Sequence, residues 1–121
     1  MIDETDIKNC LLQCWSLQLS SLWTSDNPAR GQCGVTALVI NDNFGGEILK
    51  TKLNNGSWHY YNRIEGKRLD FTKDQFENII EYCDTVSSRD EAFSDTNEEQ
   101  YNYLSSAFKN FTKSSRSRVN R

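Results

Sequence analysis

Histidine is almost missing from this chain: 121 residues contain one, His59. That excludes histidine relays and multi-histidine zinc centres. Four cysteines with no Cys-x-x-Cys pair do not replace them, so no metal or other cofactor is expected, although Cys10 and Cys14 stand one helical turn apart. Proline is as rare, with Pro28 alone, inside the polar stretch SLQLSSLWTSDNPARG. No apolar run approaches the roughly 20 residues of a membrane span. The opening MIDETDIKNC is acidic where an export signal requires a basic start and an apolar run. The expectation is a cytoplasmic protein with no membrane association and reduced thiols. An excess of basic charge is missing too. Fourteen Lys and Arg against 17 Asp and Glu leave −3, which argues against nucleic acid as a partner. The segment NDNFGG lacks the spaced acids and closing glutamate of a calcium loop.

What charge there is lies unevenly. Residues 112–121, TKSSRSRVNR, carry Lys113, Arg116, Arg118 and Arg121 and no acid. The other 111 residues therefore sum to −7, that is −3 minus +4. A short Ser/Arg terminus of this kind is expected to be a disordered basic tail, leaving residues 1–111 as a single domain.

Hydrophobic spacing divides that domain into helices and a small sheet. Ile7, Leu11, Cys14 and Trp15 recur at helical intervals over residues 3–15. A polar loop follows to Gly31, and Val35, Leu38 and Val39 then share a helical face that ends at paired glycines. GEILKTKL and WHYYNRI alternate about the turn signal NNGS, and RLDFT follows EGK, so residues 46–72 read as a three-stranded antiparallel meander. TKDQFENIIEYC is predicted to be a short helix capped by Thr72, SSRDEAFSD a loop in which Arg89 and Asp90 are available to brace a site, and Thr96–Phe111 a last helix bearing Tyr101, Leu104 and Phe108. The fold class is α+β, helices packed on a small antiparallel sheet.

Three residues carry chemistry in combination. Cys33 stands where a helix begins, so free N–H groups and the helix dipole would stabilise its thiolate, and Gly34 would leave room for a substrate carbonyl. His59 lies on a strand and is the one imidazole available to take the thiol proton. Asp70 lies on the next strand. A four-residue turn would pair it with His59, to hold the imidazole tautomer; a tighter turn would set Asn62 opposite Asp70 instead. Taken singly, each has an ordinary reading as buried cysteine, structural histidine or turn acid. Tyr61 shares the face of His59, whereas Trp58 and Tyr60 point the other way, to core packing. Arg30 could bind a substrate carboxylate, although pairing with Asp26 is favoured.

GQCG before a helix, HYYN and LDFT resemble the nucleophile, base and orienter segments of papain-like and transglutaminase-like enzymes. The run TSDNPARGQCGVTALVINDNFGGEILKTK through HYYNRIEGKRLDFTKDQF, with SSRDEAFS, resembles the YunG-like family of small bacterial proteins over about residues 13–110. The resemblance implies a minimal papain-like core with the nucleophile at a helix N-terminus. It also implies a carboxamide six residues before the thiol as an oxyanion donor, which is Asn27, with Gln32 as the other candidate. Position 34 is Gly where the larger families carry an aromatic residue. The function expected is a cysteine-dependent amide or isopeptide hydrolase, transamidase or deamidase, using Cys33, His59 and Asp70 on a protein or peptide amide. The competing expectations are a non-catalytic binding or regulatory module that retains the fold and a small deamidase effector. The oligomeric state is not legible.

Overall fold

A computed structural model describes residues 4–15, 31–54, 56–73, 76 and 79–119. Helix α1 spans Glu4–Cys14, with Glu4 and Asp6 in its first turn, where the helix dipole favours acids. Its buried residues Ile7, Cys10, Leu11 and Cys14 fall at the three- and four-residue steps of one face. Helix α2, Cys33–Phe44, is different in kind: every residue from Cys33 to Ile40 is buried. A helix apolar all round belongs in the middle of a domain, and α2 is the element against which the others pack. Trp15 Nε1–H donates to Thr36 Oγ1 at 2.9 Å and ties the end of α1 to it.

The sheet is antiparallel, in the order β3-β2-β1-β4, with β1 Glu47–Lys52, β2 Trp58–Ile64, β3 Lys67–Leu69 and β4 Thr85–Val86. The predicted meander is present, with β4 added beside β1. Central strand β2 is buried on both faces. Tyr60, Asn62 and Ile64 face α2, where Asn62 Nδ2–H donates to Ala37 O at 3.0 Å. His59 and Tyr61 face the segment that follows β3.

That segment corrects one expectation. Of the predicted helix over 72–83, the described residues Phe76 and 79–83 are not helical. Their backbone serves the sheet instead: the Cys83 N–H donates to Thr51 Oγ1 at 2.8 Å, and the Asp84 N–H to Tyr61 Oη at 3.0 Å. Ile79 within this segment is 97% exposed. Trp58 is also corrected. It is 39% exposed, with the Lys50 ammonium 4.3 Å over its ring, rather than part of the core.

The stretch read as a loop, SSRDEAFSD, follows β4 and contains a short helix α3, Arg89–Phe93, capped by Ser88 accepting the Glu91 N–H. Arg89 does not brace the site: it reaches Asp42 Oδ1 at 2.7 Å and Asn41 Oδ1 at 3.0 Å, near the C-terminal end of α2. Helix α4, Glu98–Val119, begins where Asn97 Oδ1 accepts the Gln100 N–H at 2.8 Å. Its Leu104 and Phe108 enter the core with Ile7, Leu11, Val35 and Val39, as the spacing predicts.

Candidate active site

The site lies between the first turn of α2 and the open half of β2. Strand β3 pairs only with Asn62, Arg63 and Ile64, so the ladder stops before it reaches His59. The reason is the turn. Glu65 and Gly66 both hold positive φ, 54° and 78°, and form a two-residue connection that fixes Ile64 opposite Lys67. The ladder therefore pairs Asn62 with Leu69, and neither register anticipated for Asp70 is formed. Asp70 leaves the ladder just past Leu69, and its side chain still reaches the imidazole: His59 Nε2 and Asp70 Oδ2 are 2.7 Å apart.

This pair is deeply set. His59 is fully buried, stacked on Tyr61 at 5.6 Å between ring centroids and met edge-on by Phe76 at 5.0 Å. Asp70 accepts three further hydrogen bonds, from Tyr82 Oη–H at 2.7 Å, Thr72 N–H at 3.2 Å and Thr72 Oγ1–H at 3.3 Å. Thr72, predicted as a helix cap, thus holds the carboxylate. A carboxylate accepts hydrogen bonds, so the neutral ring carries its proton on Nε2 and leaves the lone pair on Nδ1. Nδ1 is buried and has no hydrogen-bond partner among the described residues.

Cys33 opens α2, is 8% exposed and packs with Ala37, Leu38, Ile48, Tyr60 and Ala92. The backbone N–H of Tyr60, the residue after His59, is directed at the sulfur. The thiol's nearest side-chain acceptor is a residue that the sequence did not single out: Sγ–H donates to Asp95 Oδ2 at 3.4 Å. The same oxygen accepts the Gly34 N–H at 3.0 Å. The α2 dipole therefore stabilises the Asp95 carboxylate in place of a thiolate. Burial first, and then the charge on Asp95, push the Cys33 thiol well above its ordinary value, against a smaller opposing effect of the Tyr60 N–H. This reverses the direction expected from a helix start alone.

Gly34 is explained by the same contact. A Cβ there would lie 2.5 Å from Asp95 Oδ2 and 2.9 Å from Ala92 O, so the space opposite Gly34 admits Asp95. Gln32, one residue before the thiol, is completely buried, and neither atom of its carboxamide has a partner among the described residues. Tyr61 is committed elsewhere: its hydroxyl donates to Asp84 Oδ1 at 2.8 Å and lies 2.6 Å from Thr51 Oγ1. Asn62, on the α2 face, holds a main-chain carbonyl and not the imidazole. Asn27 and Arg30 lie outside the described residues. Cys10 and Cys14 are buried and hydrogen-bonded to each other, which holds the Cys10 thiol up and the Cys14 thiol down. Among the described residues no group of three or more metal-ligating side chains converges, and no helix is long and apolar enough to cross a membrane.

A cleft of about 420 Å³ opens on the other side of Asp70, lined by Lys8, Arg68, Phe71 and Tyr82 among others. Sequence reasoning missed Tyr82, which donates to Asp70, and Asp95, which accepts from Cys33. No periodicity or spacing marks either one; both arrive by tertiary packing, Asp95 from 62 residues away.

The chain matches the YunG protein family over residues 3–113. It belongs to that family. A curated relative, "Uncharacterized protein YunG" of Bacillus subtilis (strain 168), is 57% identical over 102 residues, covering 84% of this chain and 88% of the relative. No solved structure matches the chain. The family assignment thus rests on sequence across nearly the whole chain, including all four residues Cys33, His59, Asp70 and Asp95.

Proposed function

We propose that this YunG family member is a cysteine-dependent hydrolase or transferase of amide bonds on a minimal papain-like core, with Cys33 as nucleophile, His59 as base and Asp70 as orienter. The observation that carries this reading is the imidazole: one nitrogen is held 2.7 Å from a buried carboxylate, and the other is buried with no partner among the described residues. Leaving a buried polar atom unpaired costs about 1–3 kcal/mol. A histidine kept only for structure has no reason to bear that cost, whereas a base must keep its lone pair free for the proton it will take.

The reaction follows from the assigned roles. Sulfur attacks the carbonyl carbon, the π electrons move to oxygen, and the thiol proton passes to Nδ1. Collapse of the tetrahedral adduct breaks the C–N bond, and the leaving nitrogen takes the proton from Nδ1, giving a thioester on Cys33. Water then attacks the thioester carbonyl and passes a proton to Nδ1; collapse of the adduct breaks the C–S bond, releases the carboxylic acid, and the sulfur takes the proton back from Nδ1, while an amine in place of water gives transamidation. The Cys33 N–H has no intrahelical acceptor at its helical position and, with the Gln32 carboxamide, supplies donors for the oxyanion. Because the thiol is pushed up, it works from a neutral thiol–imidazole pair rather than a standing thiolate.

The test is acyl trapping. Incubation with p-nitrophenyl acetate is expected to add one acetyl group, located on Cys33 by intact-mass and peptide mass spectrometry. Cys33→Ala should abolish the adduct, and His59→Ala should slow its turnover by about 10²–10⁴. One observation favours a second reading, a binding or regulatory module: the Cys33 S–H is already engaged by Asp95. That reading replaces the first if Cys33 is acylated no faster than Cys83 and His59→Ala changes nothing.

A further inference from the structure

Asp95 is the one acid at the thiol that the proposed reaction does not use. It follows α3, and it lies at the surface with one oxygen turned inward. That inward oxygen, Oδ2, receives both the Cys33 S–H and the Gly34 N–H, and the glycine is what permits the approach. The outward oxygen, Oδ1, has no hydrogen-bond or ion-pair partner among the described residues. No cation among them pairs with this carboxylate. The nearest ion pair is closed on itself: Lys50 Nζ meets Glu91 Oε2 at 2.8 Å, and Glu91 is held a second time by Ser87 Oγ–H. His59 is committed to Asp70.

Partial burial raises the Asp95 carboxyl above its ordinary value, against the hydrogen bonds from Cys33 and Gly34, so a cation arriving beside it would stabilise its charged form. We propose that Asp95 is the specificity-determining residue of this site, and that it selects substrates carrying an ammonium or guanidinium group close to the reacting carbonyl. This deepens the cysteine-enzyme reading and rests on it. Pairing with a substrate cation turns the carboxylate away from the sulfur, which frees the S–H for His59 Nδ1. A neutral or anionic substrate leaves Asp95 on the thiol. The selection therefore acts on nucleophile activation as well as on binding.

The experiment compares three small alkylating agents of different charge on the intact protein: 2-bromoethylamine, iodoacetamide and iodoacetate. Rates at Cys33 are read by peptide mass spectrometry and divided by the rates at Cys83, an exposed cysteine of the same molecule. The wild-type protein should prefer the cationic to the anionic reagent at Cys33 by about tenfold more than Asp95→Asn does, the size expected of one nearby charge after salt screening. Asp95→Asn keeps the shape and the acceptor for Gly34 N–H, and should also react faster with neutral iodoacetamide. Gly34→Ala, which must push the Asp95 side chain aside, should behave like Asp95→Asn. Asp95→Glu should retain the charge preference. The same preference in wild type and Asp95→Asn, or a preference equal to that of Cys83, overturns the proposal. Alkylation needs no turnover, so this result stands apart from acyl trapping: charge selection without acylation removes the enzyme reading and leaves Asp95 as a cation site, and acylation without charge selection removes only the role of Asp95.

Discussion

Replacing Asp70 by Asn separates the two tautomers of His59, and the single imidazole of the chain makes the outcome directly observable. Asp70 takes four hydrogen bonds: Oδ2 from His59 Nε2–H and Tyr82 Oη–H, and Oδ1 from Thr72 N–H and Oγ1–H. Asparagine keeps one acceptor oxygen. The main-chain N–H of Thr72 cannot rotate away, so the oxygen of Asn stays with Thr72 and its NH₂ faces the ring. An amide N–H donates, so Nε2 must become the lone-pair nitrogen and the proton moves to Nδ1, where it blocks the base. Two charge-assisted bonds are lost, each worth about 1.5–3 kcal/mol. Tyr82 can turn its hydroxyl to accept from the new amide, and Nε2 gains a donor, so roughly half of that is recovered and a net cost of about 2–3 kcal/mol is expected. For a domain of this size that lowers Tm by about 8–15 °C. Long-range ¹⁵N–¹H spectra of the imidazole should show the proton on Nε2 in the wild type and on Nδ1 in Asp70→Asn, and acylation of Cys33 should fall by about 10³–10⁴. A variant that keeps the Nε2–H tautomer, melts within 2 °C of wild type and acylates normally would refute both the assignment of Nδ1 as base and the structural weight given to Asp70.

Three further outcomes follow from other parts of the molecule. Gln32→Met replaces a buried, unpartnered carboxamide with an apolar chain of similar length, and should raise stability in urea by about 1 kcal/mol while slowing acylation of Cys33 about 10²-fold; destabilisation beyond 1 kcal/mol would mean that the carboxamide is satisfied in solution. Asp84 is held below its ordinary value, first by Arg68 at 2.6 and 2.8 Å. A lowered acid stabilises the fold above its unfolded pKa of about 3.9 and ceases to do so as pH falls through the folded value. Asp84→Asn should therefore cost about 1 kcal/mol or less at pH 7, since the pair is partly exposed, and nothing near pH 2; a cost independent of pH would assign the effect to Tyr61 instead. Phe108→Ala, which opens a cavity between α1, α2 and α4, should cost about 3–5 kcal/mol in chemical denaturation, and a cost under 1 kcal/mol would mean that α4 does not close the core as described.

The parts of the fold legible in the sequence are those fixed by local rules. The helical steps of Ile7, Leu11 and Cys14, the paired glycines after Phe44 and the alternation in WHYYNRI each determine their own element, and α1, α2, β1 and β2 lie where these patterns predict. The segment after β3 was misread for a physical reason. Phe76, Ile79, Ile80 and Cys83 have helical spacing, but the described backbone there meets Thr51 and Tyr61, which are buried acceptors on β1 and β2. Satisfying them outweighed a few turns of propensity worth tenths of a kcal/mol per residue. The register of Asp70 failed similarly: a two-residue turn was not considered, and it shifts the ladder. The contact between His59 and Asp70 survived the error because a side chain just past the end of a ladder is not bound to its register.

At the site itself, the sequence identified the residues and misjudged the field around them. A cysteine at the start of a helix invites the inference of an activated thiolate, because the first-turn N–H groups and the dipole favour a negative charge there. That inference holds only if the helix end is vacant. Here Asp95 occupies it, accepting the Gly34 N–H and the Cys33 S–H together, so the sulfur stays a donor, while burial holds the Asp95 carboxyl itself above its ordinary value. Gln32, the residue before Cys33, and His59, the residue before Tyr60 on β2, each keep buried side-chain atoms that are unpaired among the described residues. Each of the three departures has a cost: a thiol denied its charge, a base without a proton to accept and an amide without partners. Among the described residues, no other buried side-chain nitrogen or oxygen lacks a hydrogen-bond partner. A fold under selection for stability alone would fill Gln32 with an apolar residue and pair His59 on both sides. Costs carried by these few residues are what a site held ready for a ligand looks like. The arriving group that would relieve all three at once is a carbonyl with a neighbouring cation: the cation takes Asp95, the thiol proton goes to Nδ1, and the new oxyanion meets Gln32.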